Sequence, residues 1–536
     1  MTNTAVAKPV DASTYDVAIV GYGPVGAMFA NLLARDGFRV AVIEREREIY
    51  DKPRAIVIDH EISRVLQSCG LADTVHRLVT AHPGTDFVNP DGEVIMQFDP
   101  MAPPYPLGWQ PTSMFIQPEF EAVLRDAVDG HEAVDVLLGW QADGFVQDSA
   151  CVSVACTDRA SGAAATIKAR YLVGCDGANS SVRKQLALPV QDLAFDEWWI
   201  VVDTWFDGSE ALPEKCIQYC HPARPSTFIR GPRNLRRWEI KLLPGERPED
   251  FADEARIVEQ LSRFVSPDAI EIWRAAVYRF HAVVAEQWRA GRVFIMGDAA
   301  HQMPPFMGQG MCSGMRDAAN LAWKLRFVER QGAKPDLLDS YCVERRPHIT
   351  ELTKTTKEFG EIIGILDEKV ATSRHAELKR DFDAGTAETV RQNFIPGLSA
   401  GLADFARQGR PDAAAGSLFV QPHVDDGNGR TCLLDDQIGP NFLLAARSLQ
   451  AMDWLTDEGA RIWRRLGGRR VVISGTTGAR DGVLMVSDTE GLFEAWCRSN
   501  HCDVTLVRPD GYVYGTANDA QTLDRLVGDL DRLMFG

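Results

Sequence analysis

One segment near the start constrains the chain more than any other. Asp16-Val-Ala-Ile-Val20 runs directly into Gly21-Tyr-Gly-Pro-Val-Gly26. The apolar, β-branched run has the pattern of a buried strand. Ala27 to Gly37 reads as a helix, and Arg39-Val-Ala-Val-Ile43 as a second strand ending at Glu44. Together they form a β–turn–α–β unit of about thirty residues. The three glycines then differ in role. Gly21 permits the tight turn, Gly23 lets backbone approach a pyrophosphate, and Gly26 allows close helix packing. Pro24 and Val25 complete the loop, and the helix N-terminus offers free N–H groups and a positive dipole to phosphates. Glu44 lies 18 residues beyond Gly26, where an acid can bind a ribose hydroxyl, with Arg45 beside it. The unit implies a dinucleotide but does not choose between NAD and FAD.

The 536 residues allow two or three domains at roughly 100–200 residues each. A formal charge of −18, from 57 Lys+Arg and 75 Asp+Glu, argues against a nucleic-acid or anionic-membrane partner. No apolar run reaches the ~18 residues of a membrane span. The first fifteen residues lack a secretory pattern and read as a frayed terminus. Eleven scattered cysteines include no zinc-ligand arrangement; Cys216 and Cys220 lack a second pair nearby. The expectation is a reduced, cytoplasmic, metal-free protein.

Residues 50 to 130 read as helical, interrupted at Ala102-Pro-Pro-Tyr-Pro106. Strand patterns follow near 133–138 and 151–156, and dominate from about 186 to 285. The apolar strand Arg292-Val-Phe-Ile-Met296 enters Gly297-Asp298, and a long helix is expected from about Cys312 to Arg330. The Gly/Ala/Pro-rich stretch Gly397 to Gly416 reads as a linker, after which strands and helices alternate.

Two further motifs choose the cofactor. Gly174-Cys-Asp-Gly-Ala-Asn-Ser-Ser-Val-Arg183 and Gly297-Asp-Ala-Ala-His-Gln-Met-Pro-Pro-Phe-Met-Gly-Gln-Gly310 resemble signatures of the flavoprotein aromatic hydroxylases, in that family's order and spacing. The likeness spans about residues 15 to 350. It implies an α/β architecture: a Rossmann-like FAD-binding domain over 1–185 that returns over 286–400, an inserted β-sheet substrate domain over 186–285, and a thioredoxin-like domain over 401–536. It also implies tightly but non-covalently bound FAD, NADH or NADPH as electron donor, and O2. No second GxGxxG follows a strand, in keeping with a single dinucleotide domain.

Several residues are assigned to FAD on this basis. Asp298, at a strand end after Gly297, can accept a hydrogen bond from a ribityl hydroxyl. Pro305 stiffens its loop, and Gly308, Gln309, Gly310 and Met311 bring backbone to the flavin edge, where the helix dipole favours the anionic reduced ring. His301 reads as support for this loop. Asp176, in the second motif, is assigned to FAD as well, and Arg54 and Gln117 match positions where relatives contact flavin or nicotinamide. A solvated Arg and a helix N-cap neighbour are the plain alternatives for Arg54 and Gln117.

Within the family the chain resembles the 3-(3-hydroxyphenyl)propionate hydroxylases. The likeness rests on Pro53-Arg-Ala-Ile-Val-Ile-Asp-His-Glu61, Trp199-Ile-Val-Val-Asp203, His221-Pro-Ala-Arg-Pro225, Arg236-Arg-Trp-Glu239 and Gly308-Gln-Gly-Met-Cys-Ser-Gly-Met-Arg-Asp317. It implies oxygen insertion beside a phenolic hydroxyl through a flavin C4a-hydroperoxide, giving a catechol. Val57 and His60 depart from that subgroup's pattern. Arg224, Arg237 and Arg230 are the candidates for a substrate carboxylate, because a guanidinium binds one bidentately. Asp59, His60 and Tyr219 are the candidates for taking the phenolic proton.

The tail from about 415, which lacks Cys-x-x-Cys, suits a structural or dimer-contacting role, so a homodimer is one expectation. Two other functions are compatible with these residues. One is the same chemistry on a plain phenol or a larger polyketide or antibiotic ring. The other is a flavin reductase or non-catalytic flavoprotein sensor.

Overall fold

The computed structural model describes residues 14–405, 414–427 and 429–536. The terminal reading before residue 14, and the part of the linker reading over 406–413, lie outside these residues.

Five parallel strands form the centre of the first sheet, in the order Val293–Ile295, Ala164–Gly174, Tyr15–Val20, Val40–Glu44, Val134–Leu138. In Val293–Ile295, Tyr15–Val20 and Val40–Glu44 the apolar residues are buried on both faces, as a parallel sheet demands. The helix Pro24–Arg35 begins three residues earlier than its periodicity predicts. Proline lacks the N–H that a first helical turn leaves unpaired, so it opens a helix without cost.

The second sheet carries the wall of the site. Its order is His301–Gln302, Ile270–Ala285, Val190–Phe206, Leu235–Lys241, Ser226–Arg230, Cys216–Tyr219, Thr85–Val88, Val94–Phe98. The stretch from 50 to 130 is therefore not chiefly helical. It holds the helices His60–Ser68, Ala72–His76 and Gln117–Asp129, but also five strands. Two of these strands enter the second sheet, which thus draws on chain outside 186–285. Thr85–Val88 is four residues long and is held by pairing with Cys216–Tyr219, a contact that local periodicity does not carry. The sheet's outer face packs Ile200, Val202, Phe228, Trp238 and Ile240 against the helix Glu254–Leu261. Its inner face turns toward the first sheet.

Beyond residue 416, Leu443–Ala446, Asp457–Arg465 and Arg469–Ile473 form a parallel βαβ unit. The hairpin Val504–Val507/Val513–Ala517 and the helix Ala520–Phe535 complete a thioredoxin-like core. Buried charges seat this domain on the helices Gly310–Gln331 and Ser340–Ile363. Glu344 accepts from Lys324 Nζ at 2.7 Å and Arg508 Nη2 at 2.8 Å, and Arg508 also binds Asp510. Tyr512 donates to Glu61 Oε1 at 2.8 Å. No helix among the described residues is long and apolar enough to cross a membrane.

Candidate active site

Parallel pairing brings the three sequence motifs to one edge. The strand ends are tied by Gly21 N to Ile43 O at 2.9 Å, Cys175 N to Val20 O at 2.7 Å, and Met296 N to Gly174 O at 3.0 Å. This carboxyl edge of a parallel sheet is where such folds bind ligands. Arg183 fastens the second motif to the third, donating to the Ala299 carbonyl at 2.6 Å and to the Ala178 carbonyl at 2.7 Å.

The glycines divide by what a side chain would meet. A Cβ on Gly21 would lie 2.4 Å from the Cys175 oxygen, and one on Gly26 would lie 2.2 Å from the Gly21 oxygen. Those two close the turn. A Cβ on Gly23 or Gly310 would meet nothing within 4 Å. Each stands at a helix start, Gly23 capping Pro24–Arg35 and Gly310 opening Gly310–Gln331. This is open space over two helix N-termini, and it fits an elongated anionic dinucleotide. Val25 is spent on packing: its side chain touches Gly297 and the position of a Gly314 Cβ.

Glu44 is held at its strand end, accepting from Tyr22 N at 2.7 Å and Glu46 N at 2.9 Å, while the Arg45 side chain is exposed beside Glu46. Asp298 is open to solvent yet crowded by protein, the position of a side chain lining a crevice. That crowding raises its carboxyl pKa, against the opposing charges of His301 and Arg54. Asp176 caps the turn Ser181–Gln185 through Oδ2, whereas its buried Oδ1 has no partner.

Behind the third motif, Asp317 receives Gly297 N at 3.1 Å, His301 Nε2 at 2.7 Å and Arg345 Nε at 2.9 Å. Burial pushes its carboxyl up, but His301 and Arg345 outweigh that and hold it below its ordinary value. His301 thus ties the third-motif loop to Asp317. Gly308 adopts φ +58°, turning Pro305–Met307 into the next helix. Met311 is half-buried in the first turn of that helix. Gln309 is buried, and its Oε1 accepts from Arg316 Nη1 at 2.9 Å, which ties the loop to the helix Gly310–Gln331. Gln117 behaves alike, its Oε1 taking Arg54 N at 3.0 Å and Ala55 N at 2.7 Å. The Arg54 guanidinium stays exposed over the Tyr50 ring.

The other predicted residues do not converge. Asp59 is buried, caps the helix His60–Ser68 through Ile62 N at 3.1 Å, and is ion-paired to Arg316. His60 is buried too; desolvation dominates and its pKa falls to about 4, leaving a neutral ring. Tyr219 stacks near Phe264 on the outer face of the sheet, away from the flavin edge. Arg224 is bound bidentately by Glu246 at 2.7 and 2.8 Å, and Arg230 donates to the Glu214 carbonyl. Arg237 is buried on Asp203 at 2.7 Å and donates to the Arg54 carbonyl at 2.8 Å, so it positions the Arg54 loop. Asp59 and the three arginines are each held by a partner distant in sequence.

Two buried charged residues were not singled out in the sequence. Arg391 is buried, donates to the Met307 carbonyl and approaches His82 Nε2 at 3.3 Å. Glu239 sits on the inner face of the second sheet. The sequence signal for Glu239 is its place in Arg236-Arg-Trp-Glu239; Arg391 has none.

Comparison with known proteins agrees with this geometry. The FAD binding domain family matches residues 14–356, and the HcaD C-terminal domain matches 416–533. A Rhodococcus jostii protein named as a probable NADH-specific resorcinol 4-hydroxylase is 34% identical, covering 98% of this chain and 97% of its own. The 3-(3-hydroxy-phenyl)propionate/3-hydroxycinnamic acid hydroxylase of Comamonas testosteroni is 34% identical, covering 94% of each chain. Among solved structures, aklavinone-11 hydroxylase with FAD and aklavinone superimposes with a TM-score of 0.76 at 25% identity, over 98% of this chain and all of the other. The flavin-dependent monooxygenase PieE reaches 0.78 at 21%, with the same coverage. With its three motifs gathered at one sheet edge and a domain match over most of its length, the chain belongs to the FAD-dependent aromatic hydroxylases.

Proposed function

We propose that this protein hydroxylates a phenolic ring, drawing electrons from NADH or NADPH and one oxygen atom from O2. Bound FAD supplies the oxygen-activating redox chemistry. The chain's own residues hold and shield the reactants. The Gly21–Gly26 and Gly308–Met311 backbones bind the cofactor's charged and polar edges, and Asp298 its ribityl chain. Phe87 and Trp199 on the inner sheet face, with Phe306 of the Pro305–Met307 turn packed against Trp199, offer an apolar surface to a ring and keep water from it.

The observation that carries the reading is this apolar wall beside the meeting point of the FAD motifs. For the substrate we favour an uncharged hydroxyarene of the resorcinol kind, because Arg224, Arg230 and Arg237 are engaged elsewhere. A phenolic acid of the hydroxyphenylpropionate kind, hydroxylated beside its hydroxyl, is the second reading. It is favoured by Arg391, whose buried Nε has no partner.

A panel including phenol, resorcinol and 3-(3-hydroxyphenyl)propionate tests both. The expected result is aromatic-dependent NAD(P)H oxidation, with one product heavier by one oxygen atom taken from labelled O2. NAD(P)H oxidation equal with and without every aromatic, and no oxygenated product, would instead indicate a flavin reductase and defeat the proposal.

A further inference from the structure

The strand Leu235–Lys241 divides its side chains between two faces. Trp238 and Ile240 enter the apolar cluster beneath the helix Glu254–Leu261. Arg237, Glu239 and Lys241 point the other way. Arg237 reaches the Pro53 and Arg54 carbonyls, and Lys241 reaches the Gly364 carbonyl and the Glu197 carboxylate. Glu239 lies between these two anchors along the strand, on the same face. Strand register sets Val201 on one side of it and Thr227 on the other, with Gln218 beyond. Thr227 Oγ1 donates to Gln218 Oε1 at 2.6 Å, so a polar row crosses three adjacent strands. Trp199, opposite Lys241, stacks its edge on Phe306 of the flavin loop with ring centres 5.4 Å apart.

Glu239 is 4% exposed, and among the described residues its carboxylate has no hydrogen-bond donor. The Arg237 guanidinium is 4.0 Å away and already bound to Asp203. That long ion pair is the contact its carboxylate has among the described residues, so the carboxylate keeps capacity for a hydrogen-bond donor. Burial pushes this carboxyl up to about 7; Arg237 and Arg274 pull it down, and Asp203 pushes it further up. Lys241, paired with Glu197, is the remaining charge beside it on its own strand.

Building on the hydroxylase reading, we propose that Glu239 is the base that takes the proton of the substrate's ring hydroxyl. The carboxylate oxygen bonds the hydroxyl hydrogen, and the phenol O–H bond breaks with its electron pair left on the ring oxygen. The resulting carboxylic acid returns its proton to water as product leaves. The phenolate formed is richer in electrons at its ortho and para carbons, where oxygen is to be inserted. Thr227 and Gln218 orient the hydroxyl from the adjoining strands.

The test uses the flavin-bound enzyme and resorcinol or whichever panel phenol turns over best. Glu239→Gln should retain FAD and lose about 10²-fold or more in kcat/KM near neutral pH. The loss should shrink as pH rises toward about 10, where a phenol ionises unaided. The wild-type acid limb near pH 7 should be missing from the variant. A full rate in Glu239→Gln, or a deficit unchanged across pH, overturns the proposal. If that variant cannot hold FAD, Glu239→Asp carries the test. It keeps a carboxylate, so part of the rate and a displaced acid limb are expected, and a limb that stays in place overturns the assignment. Failure of the hydroxylase reading shows separately, as wild type that oxygenates no phenol.

Discussion

Arg316 offers a demanding test of how the flavin loop is held. It is 3% exposed, ion-paired to both Asp59 and Glu61, and donates to Gln309 Oε1 beside the predicted flavin contact Gly310. In Arg316→Leu two carboxylates stay buried without their cation. Breaking a buried pair in this way costs about 3–5 kcal/mol. Burial raises the Asp59 carboxyl, but Arg316 and its neighbours outweigh that and lower it in the native protein. A depressed acid contributes stability above its unfolded value near 3.9, and that contribution is lost as pH falls through the native value. Without Arg316, burial is unopposed by it and the carboxyl shifts upward. The variant's penalty should therefore be largest at neutral pH and shrink on acidification as Asp59 takes a proton. Urea unfolding followed by flavin fluorescence, at about pH 7 and about pH 5, reads both effects. Adding Asp59→Asn and Glu61→Gln to Arg316→Leu should recover much of the loss. A penalty under about 1 kcal/mol at neutral pH, or one equal at both pH values, would refute the reasoning.

Three further outcomes are expected. Gly21→Ala should purify without yellow colour, because its Cβ would lie 2.4 Å from the Cys175 oxygen at φ +103°; normal FAD content counts against the placement of the turn. Asp298→Ala should weaken FAD binding by about 10- to 100-fold in a fluorescence titration, the worth of one charge-assisted hydrogen bond, and an unchanged Kd would remove Asp298 from the site. Tyr512→Phe leaves Glu61 Oε1 without its donor and should destabilise the folded chain by about 1–3 kcal/mol; wild-type denaturation would show that the contact carries no energy.

What the sequence discloses is what local sterics enforce. Gly21, Gly26 and the apolar strands around them could be read because a turn or a buried strand leaves its mark on a few adjacent residues. Thr85–Val88 could not, since four residues carry little periodicity and the strand that ties them into the second sheet, Cys216–Tyr219, is far along the chain. The charged candidates misled for a similar reason. Nothing near Arg224 or Arg237 announces Glu246 or Asp203, so guanidiniums claimed within the fold look available for a ligand. Glu239 shows the opposite error. Its strand alternates apolar Trp238 and Ile240 with charged Arg237, Glu239 and Lys241, a pattern that reads as one solvated face. That face is covered by the FAD-binding part instead, and all seven residues of the strand are buried.

The charges joining the C-terminal domain to the rest bear on how chimeras of this chain must be built. Lys324 and Glu344 lie on one side of the junction and Arg508 and Asp510 on the other, all four sharing a single buried cluster. Glu61 and Tyr512 straddle it as well. A donor domain from another source would bring its own residues to these places and strand the complementary charge away from water. Exchange of the domain therefore requires both halves of the cluster to travel together, and a cut at residue 416 alone leaves Glu344 with Lys324 as its one remaining cation.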